Sequence, residues 1–271
     1  MTALEIVAVL LAGVWAGTIN TVVGSGTLIT FPTLLAIGVP PVTANISNNI
    51  GLVPGSVAGA VGYRRELEGQ RTRVIRLLLA SVTGGLIGAG LLLVLPPDAF
   101  EAVVPALILL GVVLVVLQPR LSKAVAARAE AREAAGAAPA RDGAWWVWPA
   151  VLLTGIYGGY FGAAQGVLLM AVLGIGISET LQRLNGVKNV LAACVNGVAG
   201  LVFVLVVELA PDDWLGGIHA EIDWLIVLVL GLGAVAGGFL GASVGRRLPP
   251  GVLRGVIVVV GLVAVVAILL T

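Results

Sequence analysis

The chain has 271 residues, 59% of them hydrophobic and 11% charged, with a formal net charge of +1 and a mean hydropathy of +1.11. Soluble domains run nearer roughly 45–50% apolar and ~25% charged, so a soluble globular protein is excluded, and the near-zero charge speaks against a nucleic-acid binder. One cysteine, Cys194, and one histidine, His219, exclude disulfide frameworks, Cys/His zinc sites and haem ligation; no metal and no cofactor is expected.

A helix crossing the bilayer needs about 20 apolar residues. Read in chain order, the first apolar runs are residues 4–19 and 27–37, separated by a break at 20–26. After a kink at Pro40-Pro41 come 42–63, 74–95 and 100–117, then a polar stretch at 118–143. The order then resumes with 144–161, a break at 162–166, 167–177, 181–208, a polar loop, 222–244 and 252–270. The 38 glycines suit membrane helices, where small residues let backbones approach. The class is an all-α polytopic membrane protein with about 8–10 hydrophobic helices. No Lys or Arg precedes Arg64, so a removable signal peptide with a basic start is not expected. The two short runs of each half fit either tilted spans or re-entrant hairpins.

The halves resemble each other. Gly13-x-x-x-Gly17 before the Gly24-Ser25-Gly26 break parallels Gly155-x-x-x-Gly159 before the Gly162 break. Ser56-Val57-Ala58-Gly59 parallels Gly197-Val198-Ala199-Gly200, which sets Asn48 opposite Asn189. Residues 1–117 then form a first membrane repeat, 118–143 a connection and 144–271 a second repeat. Gly51-x-x-x-Gly55-x-x-x-Gly59 and Gly237-x-x-x-Gly241-x-x-x-Gly245 read as packing faces.

Charge sets the orientation. Basic residues gather at 64–76, 120–141 and 246–254, with Arg183 and Lys188 apart, whereas the loops at 96–101 and 208–223 carry only acidic charge. The positive-inside rule puts the first set, including the 118–143 connection, in the cytoplasm and the second outside. Corresponding loops of the two halves thus fall on opposite sides, and the repeats are inverted. Inverted repeats with broken helices are a construction of secondary transporters.

The breaks are where chemistry is expected, because irregular backbone at membrane depth must face protein or a wet cavity. The first offers Asn20, Ser25 and Thr27, and a helix N-terminus near Thr27 aims its N–H groups into the same space; the second offers Gln165. The helix after the kink carries Asn45, Asn48 and Asn49, and its partner carries Asn185, Lys188 and Asn189. These ten residues are the candidate substrate-binding set. The asparagines serve either a binding site or interhelical contacts. Lys188 either faces the cavity or snorkels to the cytoplasmic surface. No Asp or Glu lies mid-span, so the site reads as neutral to cationic and favours an anion, with any coupled proton carried on the substrate. A serine-protease reading is not supported: Val23 stands where that loop wants glycine, and His219 lies in an outer loop. No ATP-binding loop is present, and the chain is not read as an enzyme.

At these residues the sequence resembles the sulfite exporter TauE/SafE family of membrane permeases. The resemblance runs through Gly24-Ser25-Gly26-Thr27-Leu28, Pro32, Leu34-Leu35, Gly38-Val39-Pro40-Pro41, Ala44 and Pro54 to Gly59, and again through Asn185-Gly186-Val187-Lys188-Asn189-Val190-Leu191-Ala192. It departs at Ser25, where a glycine run is usual, and at Ala163-Ala164-Gln165. The resemblance implies transport of sulfite, a sulfonate or a related sulfur-containing or organic anion across the bacterial inner membrane. A non-transporting subunit or sensor and a channel-like anion pore are the alternatives. The expected partners are a small anion, a co-transported proton and the lipid bilayer; the sequence does not set an oligomeric state.

Overall fold

The structure is a computed structural model that describes residues 1–134, 143–209, 220–243 and 250–270. His219, Asp212 and Asp213 of the outer loop, Arg141 of the connection, and Arg246, Arg247 and Gly245 lie outside the described residues.

Among the described residues ten α-helices follow in order: α1 Ala3–Val22, α2 Thr27–Ala36, α3 Pro41–Gly62, α4 Arg71–Val94, α5 Pro97–Ala134, α6 Val147–Tyr160, α7 Gln165–Gly176, α8 Leu181–Leu209, α9 Trp224–Ser243 and α10 Pro250–Leu270. A 3₁₀ turn at Arg64–Leu67 joins α3 to α4, and no strand occurs among the described residues. Among the described residues, five of the helices are long and apolar enough to cross a membrane. The chain is an all-α polytopic membrane protein.

Local chemistry sets several helix ends. Thr2 and Glu5 form a reciprocal capping box at the start of α1. Pro41 opens α3, a position where its missing N–H costs nothing. Both α1 and α6 close on a glycine in the left-handed region, Gly24 at φ 91° and Gly162 at φ 78°. Each glycine N–H reaches back five residues, to Ile19 O and Tyr157 O, the bond that ends a helix sharply.

Two differences from the sequence expectations stand out. Helix α1 runs through Asn20 to Val22, so the break begins at Val23 and not at Asn20. The Asn20 side chain does not interrupt α1 because its oxygen turns outward to accept from the Gly26 N–H at 2.6 Å. Helix α5 continues past Leu117 to Ala134, so the first part of the 118–143 connection is helical; residues 135–142 lie outside the described set.

The short pairs are hairpins. The Ala144 N–H donates to Gly176 O at 2.9 Å, which brings the start of α6 to the end of α7. Helix α1 runs parallel to α9, with Gly13 facing Leu230 and Gly237 facing Val14, and α3 also runs parallel to α9 through Gly51–Leu230 and Gly62–Ala242. The end of α2 therefore lies where α1 starts. Helices α3 and α8 cross antiparallel, with Gly200 beside Ile50 near one end and Gly186 beside Glu66 at the other. The α1–α2 and α6–α7 hairpins accordingly enter from opposite ends of the bundle.

The packing is matched between the halves. Main chain of α1 at Gly13 and Gly17 lies on α9 at Gly233, Ala234 and Gly237, and main chain of α6 at Gly155 and Gly159 lies on α4 at Gly84, Gly85 and Gly88. Each half thus lends its fourth helix to the other's first. Small residues are needed there because backbones touch, and dispersion between close backbones is what associates helices in lipid.

Candidate functional site

The two breaks meet. The Gly166 N–H donates to Gly24 O at 3.0 Å, and a Cβ on either glycine would collide with main chain of the other. Beside this contact lies a small polar cavity of about 20 Å³, lined by Asn20, Thr21, Gly24, Thr27, Ser56, Gly162, Gln165, Gly166, Asn189, Ala192 and Asn196. That space is large enough for a water molecule or two. No acidic or basic side chain lines it.

Of the ten expected residues, the cavity wall takes Asn20, Thr27, Gln165 and Asn189. The others are buried in the packing around it. Asn45 donates to Tyr160 O, near the end of α6, at 2.9 Å, and Asn185 donates to Thr21 O, near the end of α1, at 3.1 Å. Asn48 accepts from the Thr30 hydroxyl and lies 3.5 Å from Thr27 Oγ1. Ser25 Oγ and Asn49 Oδ1 are buried without a partner.

Lys188 departs from both expectations. It neither lines the cavity nor snorkels, being 0% exposed. Its Nζ donates to Asn20 O at 3.0 Å and Thr21 O at 3.2 Å. These are carbonyls of the last turn of α1, which helix termination leaves without intrahelical donors. A cation there also opposes the negative end of the helix dipole. Asn189 adds a third side-chain donor to Thr21 O at 3.3 Å. The ion pairs among the described residues, Arg73–Glu179 and Arg183–Glu179, do not involve Lys188.

Because Asn45 and Asn185 each hold the end of the other half's first helix, they correspond. That register sets Asn48 opposite Lys188, one residue away from the pairing with Asn189 that the Ser56–Gly59 and Gly197–Gly200 strings suggest. It also sets Ser56 opposite Asn196, and these two bond each other, Asn196 Nδ2 to Ser56 Oγ at 3.2 Å. Asn196, Ser56 and Thr21 are cavity residues that the sequence reading missed. The corrected register would have found the first two.

The free N–H groups expected at the helix starts are partly spent. Gly26 N–H goes to Asn20 and Gly166 N–H to Gly24 O. What remains is a set of amides and hydroxyls. The Gln165 carboxamide is 3% exposed, sits where Gly158 leaves room for it, and has no partner for Nε2.

An all-helical bundle with two opposed hairpins around a neutral polar cavity defines the class, an all-α polytopic membrane protein. The family model for the sulfite exporter TauE/SafE matches residues 9–268, and the chain belongs to that family. Among curated proteins it is 26% identical over 241 residues to the probable membrane transporter protein ORF9 of Sinorhizobium sp., covering 86% of this chain and 78% of that one. It is 24% identical over 238 residues to the probable membrane transporter protein YfcA of Escherichia coli K12, covering 86% and 76%. No solved structure matches significantly.

Proposed function

We propose that the chain is a secondary transporter that moves a small anion, sulfite, a sulfonate or a related sulfur-containing or organic anion, by alternating access between two inverted repeats. The observation that carries this is the cavity at the contact of the two breaks, lined by amides and hydroxyls and by no carboxylate. Carboxylates would repel an anion; neutral donors replace its hydration. The cavity's present size admits water only, so a sulfite enters when the walls part, as alternating access requires. Exchange of conformation between the matched halves supplies that parting. The basic loops lie in the cytoplasm of a bacterial inner-membrane protein, in keeping with the positive-inside rule.

Purified protein in liposomes loaded with unlabelled sulfite, then given labelled sulfite outside, tests the reading. Counterflow above protein-free liposomes is expected. Uptake equal to that of empty liposomes, repeated for methanesulfonate and acetate, would end it.

A further inference from the structure

We propose that Asn20 sets the sign of charge the cavity accepts, and that Lys188 acts on the anion from behind Asn20 as a positioning residue and not as a ligand. This rests on the reading of the cavity as the substrate site.

Asn20 is held at two points. Its Oδ1 accepts from Gly26 N–H at 2.6 Å, which bridges the end of α1 to the start of α2. That bond also fixes which way the carboxamide faces, since an NH₂ cannot accept from an N–H. Its main-chain oxygen accepts from Lys188 Nζ at 3.0 Å. The remaining group, Nδ2, belongs to a residue that lines the cavity and makes no hydrogen bond among the described residues. A donor whose acceptor face is already engaged cannot turn over to greet a cation. Gln165, from the opposite break, brings a buried carboxamide with an unpartnered Nε2 to the same wall. An anion between them has a donor from each half.

The position of Asn20 is particular to the first half. The terminating Gly24 follows Gly17 by seven residues, whereas Gly162 follows Gly159 by three. The extra four residues are about one helical turn, and they contain Asn20 and Thr21, whose carbonyls Lys188 holds. The second half has neither the extra turn nor a cation at the matching place, which is Asn48. Lys188 and Asn20 thus form one unit: the ammonium caps the turn, and the turn presents the amide. An anion on Nδ2 binds the side chain of the residue whose main-chain oxygen holds the buried ammonium, in surroundings where charge is poorly screened.

Asn20→Asp is the test. The carboxylate keeps the acceptor for Gly26 N–H, replaces the donor by a negative oxygen and neutralises Lys188. The probes are sulfite, methanesulfonate and acetate, read by labelled uptake into liposomes and by ligand-induced shift of melting temperature in detergent. In the parent all readouts respond to at least one probe, and Asn20→Asp loses roughly tenfold or more in apparent affinity, the cost of one charge-assisted hydrogen bond. An Asn20→Asp protein that binds and transports like the parent overturns the inference and leaves the transporter reading standing. Binding by the parent, lost in Asn20→Asp, with no uptake by either, supports the inference and ends the transporter reading. A parent that neither binds nor transports any probe overturns both. Should Asn20→Asp fail to fold, Asn20→Ser, which retains a shorter acceptor and no amide donor, is read in the same way.

Discussion

The Gly166 amide and the Gly24 carbonyl, 3.0 Å apart, are the point at which the two broken hairpins touch through main chain alone. No side chain fits between them, and Gly24 also stands at φ 91°, a conformation that L side chains rarely adopt. Gly166→Ala forces the breaks apart without asking for an unusual dihedral, because Gly166 lies in α7. The expected loss is about 1–3 kcal/mol of stability from overpacking, seen as a lower melting temperature in detergent. Gly24→Ala, which adds backbone strain, is expected to melt lower still. A Gly166→Ala protein with the parent's melting temperature would show that the breaks separate freely.

The matched packing of the halves makes a second expectation. A Cβ at Gly237 meets Val14 O of α1, and a Cβ at Gly88 meets Ile156 O of α6. These are corresponding places, so Gly237→Ala and Gly88→Ala are expected to cost similar amounts, about 1–3 kcal/mol each. Gly197 and Gly90, with open space around them, serve as comparison sites where alanine is expected to be neutral or to raise helix stability by about 0.5–1 kcal/mol. Loss at one interface only would separate the halves energetically.

Hydrophobic run length and glycine spacing carried most of the fold, because a membrane helix satisfies its own backbone and needs only a length of apolar sequence. The boundaries of α2, α3, α7 and α8 follow the sequence reading to within a residue or two. Asn20 was harder. An amide among apolar residues reads as a break, and its role in bridging to Gly26 depends on where the chain goes six residues later. Lys188 was harder still: a cation in a span suggests a ligand or a snorkelling anchor, and a third use, capping the end of a helix in the other half, needs the tertiary fold. The repeat register slipped by one at Asn48 because runs of Gly, Ala, Val and Ser align to one another almost anywhere. The bonds from Asn45 and Asn185 are not written in either string.

Glu179 braces the two halves at the end where α4 and α8 start. Its carboxylate meets Arg73 at 3.0 Å and Arg183 at 2.8 Å. Arg73 also donates to Gln70 Oε1 at 2.6 Å, and Arg183 to Glu68 O at 3.0 Å, which joins the α7–α8 link to the turn between α3 and α4. Arg73 is buried while Arg183 is about a third exposed, at 32% of its side chain. Glu179→Gln removes the charge that Arg73 and Arg183 share and is expected to destabilise by about 1.5–3 kcal/mol, the worth of hydrogen bonds to a charged group. Arg183→Gln, which breaks the wetter pair and the exposed bond to Glu68 O, is expected to cost no more than about 1 kcal/mol. Equal melting temperatures for the two variants would remove the distinction between the pairs. Under alternating access Glu179→Gln also favours opening at that end, so a cysteine placed at Thr21 is expected to react faster with a water-soluble maleimide in the Gln variant.

The last expectation separates holding from binding at Lys188. Asn20 O has Lys188 as its side-chain donor, whereas Thr21 O keeps Asn185 and Asn189 when the lysine is lost. Lys188→Met preserves the bulk of the stem, removes the ammonium and leaves the part-buried Asn20 O without that partner. Lys188→Gln offers a neutral donor on a shorter arm. If Lys188 holds the last turn of α1, stability falls in the order parent, Gln, Met, with about 1.5–3 kcal/mol for the lost hydrogen bonds to a charged group. The loosened turn also frees Gly26 N–H, since that group depends on Asn20 being in place. Hydrogen exchange should therefore quicken at residues 22–26 and remain as in the parent along α9, whose own bonds do not involve Lys188. A purely electrostatic role predicts otherwise: exchange at residues 22–26 unchanged in Lys188→Met, and only anion affinity reduced. A Lys188→Met protein as stable as the parent, with unchanged exchange across the break, would show that the ammonium is not what holds α1 at its end.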